Sequence, residues 1–294
     1  MTTEPLRLMA VHAHPDDESS KGAATTARYA AEGVDVLIVT CTGGERGDVL
    51  NPAFGDAPST LEAMSAVRRN EMAAAAHALG VRQHWLGFVD SGLPQGDPLP
   101  PVPEGSFAAV PLEEAAAPLV QLVREFRPHV MTTYDPSGGY LHPDHVMCNK
   151  VSVEAFASAA DPNRYPSLGP AWTTKKLYYN HDFSMNRIRT MHEAILAAGL
   201  ESPYGDWVES RQAREIPHRP VTTRIQCAQY FPARDAALRA HATQIDPNGF
   251  FFAVPRDLEA SVWPVEEYEL AVSLVPTAIP EDDLFAGIRP EVAP

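Results

Sequence analysis

The stretch VDVLIVT, residues 34–40, is an almost unbroken run of β-branched and other apolar residues. Such a run predicts a strand buried on both faces, as in the centre of a parallel sheet. Upstream, residues 21–32 (KGAATTARYAAE) are alanine-rich and predict a helix, with Gly33 at its C-terminal cap. Residues 7–11 (RLMAV) predict an earlier buried strand. Strand, helix and strand in this order predict a βαβ unit.

The same alternation continues along the chain. Further helices are predicted over residues 61–79, 112–126 and 144–160, and further strands over residues 83–88, 129–133 and 175–181. The alternation predicts an α/β fold, with a Rossmann-like, doubly wound and mostly parallel sheet that carries helices on both faces.

Three long connections interrupt the predicted order of strands and helices. Segments rich in Gly, Pro and charge run over about residues 42–60, 89–111 and 200–220, and long connections of this kind are typically functional or mobile. We expect a single domain over residues 1–294, in which about residues 276–294 form an extended C-terminal tail on the surface.

Composition excludes several classes of partner. The 294 residues include 23 basic and 38 acidic residues, and the formal net charge of −15 argues against nucleic acid or an anionic membrane as a partner. Cys41, Cys148 and Cys227 are far apart and form no CxxC pair, so neither a disulfide framework nor a thiolate zinc site is indicated.

The chain shows no targeting or membrane segment. The N-terminal residues MTTEPLRLMAV lack the apolar core of a signal peptide, and no run of about 18 uncharged apolar residues predicts a transmembrane helix. We therefore expect a cytoplasmic protein.

Two polar clusters follow two of the predicted strands. The segment HAHPDDE, residues 12–18, follows the first strand, and YLHPDH, residues 140–145, follows the strand at 129–133. Ligands of a doubly wound sheet bind outside the carboxyl ends of its strands, so the clusters can converge on one point. Imidazoles and carboxylates together suit Zn²⁺ or Fe²⁺, and a catalytic zinc site typically has three protein ligands and one open position. The clusters predict a metal site.

Adjacent Asp16 and Asp17 allow two arrangements at this site. In an extended segment successive side chains diverge, so only one of them would face the metal. In the first turn of a helix both can reach the same region. Spacing alone leaves open which aspartate binds the metal.

The motifs AHPDDE, residues 13–18, and HPDH, residues 142–145, resemble those of the LmbE-type (PIG-L) family of metal-dependent deacetylases and amidases that act on N-acyl glucosamine. The resemblance covers essentially the whole chain. Within this family, five longer segments resemble the actinobacterial enzymes that cleave mycothiol S-conjugates, namely SSKGAAT, TGGERGDVLNP, WLGFVDSGLP, REFRPHVMTTYD and LRAHATQIDPN.

The resemblance implies a role for each polar residue of the two clusters. It implies one divalent metal per subunit, most typically Zn²⁺ with Fe²⁺ as the alternative, bound by His14, Asp17 and His145. It implies Asp16 as the general base, because a carboxylate can take the proton of a metal-activated water.

Three further residues have roles near the reacting atoms. Tyr140 and His142 are implied to stabilise the oxyanion or to protonate the leaving amine. Asp144 is expected either to orient His142 or to support a metal ligand.

Five residues are candidates for substrate contacts, namely Lys21, Glu45, Arg68, Asp90 and His241. Four of them also have a simpler interpretation. Lys21 suits a surface lysine, and Arg68 can form a surface ion pair with Glu71 three residues later. The glycines around Glu45 can mark only a mobile turn, and His241 can be an ordinary hydrogen-bonded residue of a late helix.

The resemblance implies a metal-dependent amidase. Its substrate would be a small thiol–sugar conjugate, cleaved into glucosaminyl-inositol and an N-acetylcysteine S-conjugate, or mercapturic acid, as a detoxification reaction. The alternatives are a deacetylase of N-acetylglucosaminyl-inositol in mycothiol biosynthesis and a tailoring amidase of secondary metabolism. Whether the protein is a monomer or a homo-oligomer is not implied.

Two alternatives come from other classes of protein. A non-catalytic metal-binding or sugar-binding protein has no need of Asp16, Tyr140 and His142 beside the ligands. A dinucleotide-binding enzyme would carry GxGxxG after the first strand, where this chain has HAHPDDE.

Overall fold

The computed structural model describes residues 4–181, 184–212 and 219–289, and one seven-stranded sheet runs through them. The strands are β1 (Arg7–His12), β2 (Asp35–Thr42), β3 (Arg82–Phe88), β4 (Val130–Thr133), β5 (Lys176–Asn180), β6 (Thr223–Gln226) and β7 (Val265–Ser273). Their order across the sheet is β3-β2-β1-β4-β5-β7-β6, and β7 alone runs against the others. The predicted Rossmann-like, mostly parallel sheet is confirmed.

Helices cover both faces of the sheet. They are α1 (Asp17–Ser20), α2 (Ala23–Ala31), α3 (Leu61–Leu79), α4 (Leu112–Phe126), α5 (Pro143–Ser158), α6 (Met185–Ala197), α7 (Gly205–Gln212), α8 (Phe231–Ala240) and α9 (Arg256–Val262). Within the described ranges, no helix is both long enough and apolar enough to cross a membrane.

The alternation of side chains along β1 separates the two layers of helices. Met9 and Val11 belong to a buried cluster with Leu119 of α4 and Val151 of α5. Ala10 points to the opposite face and packs with residues of α3. Because successive side chains of a strand alternate between faces, one short apolar strand anchors helices on both sides of the sheet.

The predicted helix over residues 21–32 differs from the observed structure. The chain forms the single turn α1, leaves the helical path at Lys21 and Gly22, and then forms α2. Gly22 has φ +74°, and a Cβ atom there would lie 2.8 Å from the hydroxyl of Tyr268. A glycine is therefore required at this break, which places Lys21 directly after the metal-site motif rather than within a helix.

The connection over residues 200–220 also differs from the prediction. It contains the helix α7, while residues 213–218 lie outside the described ranges. The irregular connections over residues 43–60 and 89–111 agree with the prediction, apart from a short 3₁₀ turn at Phe107–Ala109.

Part of the C-terminal segment is not the surface tail that the sequence predicts. Glu281 pairs with Thr223 at the edge of the sheet, and its Oε1 atom lies 2.5 Å from Nζ of the fully buried Lys176. Leu284 and Phe285 are also fully buried. The prediction of an exposed tail is therefore wrong for the part that contains Glu281, Leu284 and Phe285, which covers the buried Lys176 and an apolar cluster, whereas residues 276–280 are exposed as predicted. Residues 290–294 lie outside the described ranges.

Candidate metal and active site

The two polar motifs meet at the carboxyl edge of the sheet. β1 and β4 are neighbours, and the chain leaves them in opposite directions across the sheet, since β1 leads to β2 and β4 leads to β5. This divergence opens a crevice between the strand ends. A cavity of about 1250 Å³ lies there, and its wall includes His14, Asp16, Asp17, Tyr140 and His142.

The Asp17 carboxylate has the spacing of a neighbouring metal ligand to one nitrogen of each of two histidines. Oδ2 of Asp17 lies 3.3 Å from Nδ1 of His14 and 3.4 Å from Nε2 of His145. Tetrahedral Zn²⁺ binds such atoms at about 2.0–2.2 Å, which separates neighbouring ligand atoms by about 3.3–3.5 Å. Both measured separations fit this geometry.

In His14 and His145, one ring nitrogen is hydrogen-bonded to another residue and the second ring nitrogen faces Asp17. Nδ1 of His145 lies 2.9 Å from the carbonyl oxygen of Gly138, and Nε2 of His14 lies 3.2 Å from Oδ2 of Asp144. A carbonyl or carboxylate oxygen accepts the ring proton, so the other nitrogen keeps its lone pair. Nε2 of His145 is buried and has no hydrogen-bond partner among the described residues, as expected for a metal ligand.

Other acids and imidazoles surround these three residues. Nitrogens of His14, His142 and His145 lie within 4.8 Å of one another, and atoms of His14, Asp90 and Asp144 do so too. The carboxylates of the second set already have hydrogen bonds, because Oδ2 of Asp144 accepts from the Ser91 amide at 2.8 Å and Oδ1 of Asp90 accepts from the Gly92 amide at 2.8 Å. Oδ1 of Asp144 is buried without a hydrogen-bond partner among the described residues, but Oδ2, the atom that contacts His14, also accepts from the Ser91 amide, so this oxygen suits support of His14.

Asp144 had two expected roles, and its contacts favour one of them. Its carboxylate contacts His14, whereas His142 interacts with the Asp144 backbone: Nδ1 of His142 accepts from the Asp144 amide at 3.1 Å. This bond caps α5 and leaves the proton of a neutral His142 on Nε2. The geometry thus assigns Asp144 to support of a ligand rather than to orientation of His142.

Charges around Asp17 keep it ionised. Burial opposes ionisation, but Lys21, whose Nζ lies 2.8 Å from Oδ1, and His145 outweigh that penalty and lower the pKa of Asp17. For His14, burial lowers the pKa, but hydrogen bonds to Asp144 and Asp17 raise it well above its usual value. Both shifts show that the cluster favours positive charge, which a bound divalent cation would supply in place of the ring proton of His14.

Asp16 faces the cavity beside these residues without joining them. Its Oδ2 atom lies 3.1 Å from the guanidinium of Arg68. Burial raises the pKa of Asp16, although Arg68 acts in the opposite direction. A carboxylate with a raised pKa is a better proton acceptor at neutral pH. The structure thus separates two adjacent aspartates whose roles spacing left open, since only Asp17 contacts the two histidines.

Tyr140 and His142 form the opposite wall. The ring of Tyr140 lies 6.0 Å from that of His142 and 4.6 Å from that of His145, centroid to centroid, and its side chain is about half exposed to the cavity. Burial and the neighbouring His14 and His145 lower the pKa of His142 to about 3. Both side chains present hydrogen-bond donors to the cavity.

Three of the five candidate substrate residues line the cavity, namely Lys21, Arg68 and Asp90. The simpler interpretation of Arg68, as the partner of Glu71 in a surface ion pair, is wrong. Both side chains are buried, and Glu71 accepts hydrogen bonds from the amide and hydroxyl of Thr243, at 2.7 and 2.8 Å.

Glu45 and His241 lie behind the cavity wall. Oε1 of Glu45 accepts from the amide of Asp90 at 3.1 Å, so it positions a wall residue. His241 follows the last residue of α8 and is fully buried, with Nε2 2.6 Å from Oε1 of Glu18. Neither side chain is part of the cavity lining, so the expectation that they contact substrate directly is not met.

Sequence reasoning missed Tyr134. This buried tyrosine stacks on His145, with ring centroids 4.3 Å apart, and its hydroxyl accepts from the Ala13 amide at 2.9 Å. It therefore connects the segment after β1 with a candidate ligand on α5. A signal existed, because Tyr134 directly follows β4 at the edge where the site was expected.

The α/β sheet and its His/Asp cluster define a known class of protein. Residues 9–156 match the family model of PIG-L, described as GlcNAc-PI de-N-acetylase, and the chain belongs to this family. The matched region contains both motifs of the site. The resemblance stated from the sequence is thereby confirmed.

Two individual relatives are similar to this chain over nearly its full length. The mycothiol S-conjugate amidase of Streptomyces coelicolor is 58% identical over 289 residues, which cover 98% of this chain and 99% of the relative. The 1D-myo-inositol 2-acetamido-2-deoxy-alpha-D-glucopyranoside deacetylase of Streptomyces avermitilis is 41% identical, over 97% of this chain and 98% of the relative.

A solved structure shares the fold. The N,N'-diacetylchitobiose deacetylase of Pyrococcus horikoshii, in complex with its inhibitor MPG, superimposes with a TM-score of 0.59 at 17% identity. The alignment covers 97% of this chain and 87% of that chain. At this level of identity the similarity concerns the fold alone.

Proposed function

We propose that the protein is a metal-dependent amidase that cleaves mycothiol S-conjugates. The amide between glucosamine and the N-acetylcysteine S-conjugate would be hydrolysed to glucosaminyl-inositol and a mercapturic acid. The observation that carries the reaction type is the cluster of His14, Asp17 and His145 beside Asp16 in one cavity. The substrate is supported by the 58% identity to the Streptomyces coelicolor amidase.

The metal in this proposal is one divalent ion per subunit, preferably Zn²⁺ and otherwise Fe²⁺. His14, Asp17 and His145 would bind it, because Oδ2 of Asp17 lies 3.3 Å from Nδ1 of His14 and 3.4 Å from Nε2 of His145, and that Nε2 atom has no other partner among the described residues. When bound, the metal would polarise the amide carbonyl and lower the pKa of a water molecule.

Asp16 would accept the proton of the attacking water. Its carboxylate lies at the cavity wall, adjacent in the chain to a metal ligand, and its pKa is raised. Arg68 holds one carboxylate oxygen at 3.1 Å and also donates to the carbonyl oxygen of Pro15. These bonds fix the direction from which Asp16 approaches the reacting centre.

Tyr140 and His142 would act on the carbonyl oxygen. The tetrahedral intermediate carries negative charge on oxygen, which hydrogen-bond donors stabilise strongly where water is excluded. Tyr140 and His142 line this cavity, and because Nδ1 of His142 accepts from the Asp144 amide, Nε2 carries the proton of the neutral ring. Because its pKa is lowered to about 3, His142 is neutral at pH 7 and would stabilise the oxyanion by a hydrogen bond from Nε2, while the proton that Asp16 takes from the attacking water would pass to the departing amine.

The cavity is large enough for a conjugate with a bulky thiol substituent. Its volume of about 1250 Å³ exceeds the roughly 300–1,000 Å³ of ordinary small-molecule pockets. Away from the His/Asp cluster its wall includes Met185, Trp207, Val221 and Phe251. An apolar substituent on sulfur could pack against such side chains.

The proposal extends to the setting of the reaction. We place the enzyme in the cytoplasm as a single-domain protein whose partner is the small-molecule conjugate. The net charge of −15 supports the absence of nucleic acid and anionic membrane from its partners.

A comparison of two substrates tests the proposal. Purified protein is given a mycothiol S-conjugate or N-acetylglucosaminyl-inositol, and kcat/KM is measured for each. We expect the conjugate to be preferred, and faster release of acetate would instead identify the deacetylase activity of the second relative. Chelation should abolish turnover, and restoring Zn²⁺ or Fe²⁺ without oxygen identifies the metal that supports it.

The role of Asp16 has its own test. Asp16→Ala should retain the metal but lose turnover by about 10²–10⁴-fold, as expected for removal of a general base. A variant that kept full turnover would contradict the mechanism.

A further inference from the structure

The backbone of Asp16 has a conformation that side chains rarely allow. Its φ is +130° and its ψ is −26°, a region normally restricted to glycine. A non-glycine residue keeps such a conformation only where its surroundings hold it there. The residue proposed to take the proton is therefore held in place at a cost in free energy.

Hydrogen bonds to the Asp16 backbone supply that constraint. Its amide donates to Oε2 of Glu18 at 2.9 Å, and its carbonyl accepts from the amides of Ser19 and Ser20 at 3.0 and 3.1 Å. The carbonyl bonds belong to the turn of α1. The bond to Glu18 is different, because it depends on a side chain that must be held in place.

Glu18 is itself held by a residue from the far end of the chain. The Glu18 side chain is fully buried, and its Oε1 atom accepts from the Ser19 hydroxyl at 2.5 Å and from Nε2 of His241 at 2.6 Å. A buried carboxylate needs such partners, because an unpaired one is costly. His241 is 223 residues away in sequence and contributes no other described hydrogen bond through its ring, since Nδ1 has no partner among the described residues.

We propose that the buried pair of Glu18 and His241 is a positioning device for Asp16. His241 holds Glu18, Glu18 holds the Asp16 amide, and the Asp16 carboxylate is thereby aimed into the cavity. Neither member of the pair lines the cavity, so both act through Asp16 and not on the substrate. The inference rests on the proposed function, because it takes Asp16 as the group that accepts the proton.

A double-mutant cycle tests this dependence. His241→Leu should lower kcat by about 10–100-fold, because a small displacement of a reacting group has effects of this size, while KM and metal content stay close to those of the wild type. In an Asp16→Ala background the same substitution should change kcat by about twofold or less, since its target is gone.

Control variants separate positioning from a general loss of stability. Leu238→Ala creates a cavity in the same helix, α8, where Leu238 is buried, and it should lower the unfolding temperature without lowering kcat. His241→Gln provides a new donor toward Glu18 and should recover most of the kcat lost in His241→Leu. Glu18→Leu is an independent variant that removes the acceptor of the Asp16 amide, and it should reproduce the loss in kcat.

Each outcome is decisive. Equal losses from His241→Leu in the wild-type and Asp16→Ala backgrounds would overturn the inference, as would full kcat in both His241→Leu and Glu18→Leu. Full turnover of Asp16→Ala alone would instead overturn the proton-transfer step of the proposed function, and with it the inference. If His241→Leu does not fold, the double-mutant cycle is measured with Glu18→Leu.

Discussion

Nδ1 of His145 lies 2.9 Å from the carbonyl oxygen of Gly138, seven residues earlier in the chain. This hydrogen bond fixes the ring so that Nε2 faces Asp17. The approach is close, because a Cβ atom on Gly138 would lie 2.6 Å from Cβ of His145. Backbone packing at one glycine thus decides which nitrogen of a candidate ligand is free.

Gly138→Ala should impair metal binding, and Gly139→Ala provides a matched control. Both glycines have φ +74°, but a Cβ atom on Gly139 meets nothing within 4 Å. Each substitution should cost about 1–2 kcal/mol of stability from the left-handed backbone. Gly138→Ala should in addition displace His145 and weaken Zn²⁺ binding, measured by competition with a chelator. Equal Zn²⁺ affinity of the two variants would contradict this account.

Asp144→Ala should weaken metal binding through His14. The Asp144 carboxylate lies 3.2 Å from Nε2 of His14, and loss of such a partner typically lowers metal affinity about 10–100-fold. Metal content after dialysis against a graded series of chelator concentrations measures the effect. Glu154→Ala, on the same helix but paired with the exposed Arg164, should leave the affinity unchanged.

Tyr134→Phe should destabilise the protein while preserving the ring that stacks on His145. The hydroxyl accepts from the buried amide of Ala13, and an amide left without a partner costs about 1–3 kcal/mol. Thermal and denaturant unfolding measure the loss. Tyr165→Phe, whose hydroxyl bonds the Glu113 carbonyl at the surface, should change stability by about 0.5 kcal/mol or less. If both variants lost the same unfolding free energy, the hydrogen bond to the Ala13 amide would contribute no more to stability than the surface hydrogen bond of Tyr165.

Glu281→Ala should unfold the protein more readily than Asp282→Ala. Glu281 is buried against Lys176, whereas the neighbouring Asp282 is exposed. Removing one member of a buried ion pair costs about 3–5 kcal/mol, because the other charge remains buried. Denaturant unfolding of the two variants provides the comparison. Equal stabilities would mean that the C-terminal segment does not cover Lys176 in solution.

The ion pairs of Glu259 with three arginines should make stability depend on pH. Burial opposes ionisation of Glu259, but Arg234, Arg187 and Arg256 outweigh it and lower its pKa below the ordinary value of 4.5. A carboxylate with a lowered folded-state pKa stabilises the protein above pH 4.5 and loses that contribution as the pH falls further. The difference in unfolding free energy between the wild type and Glu259→Gln should therefore be largest at neutral pH and shrink in acid.

A control variant tests whether this pH dependence of stability comes from the buried carboxylate of Glu259. Asp257→Asn removes an exposed acid from the same helix, α9. Its stability should run parallel to that of the wild type between pH 7 and about pH 4. A gap for Glu259→Gln that stayed constant over this range would contradict the assigned shift.

Local patterns were sufficient to predict most of the sheet. The run VDVLIVT became the buried strand β2, and the helix expected over residues 61–79 has the observed bounds of α3. These elements have strong periodicity and clear ends. The convergence of the two motifs could also be expected, because the carboxyl ends of parallel strands share one edge of the sheet.

Features that depend on distant partners could not be predicted in the same way. His241 meets Glu18 and Glu281 meets Lys176 across 223 and 105 residues, and neither pairing leaves a local pattern. Glu281 lies in a Pro-rich, acidic stretch that is typical of an exposed tail, yet it neutralises a buried lysine. The break at Gly22 was hidden because its alanine-rich surroundings favour a helix, while the close approach of Tyr268 requires a glycine.

The two halves of the metal cluster also impose an order of events during synthesis. Asp17 leaves the ribosome long before His145, and the two are brought within 3.4 Å only when β4 has paired with β1. A nascent chain that ends before β4 has no complete set of ligands to offer. Binding of the proposed metal at full affinity would therefore follow assembly of the central strands, and a bound ion would report that the middle of the sheet has formed.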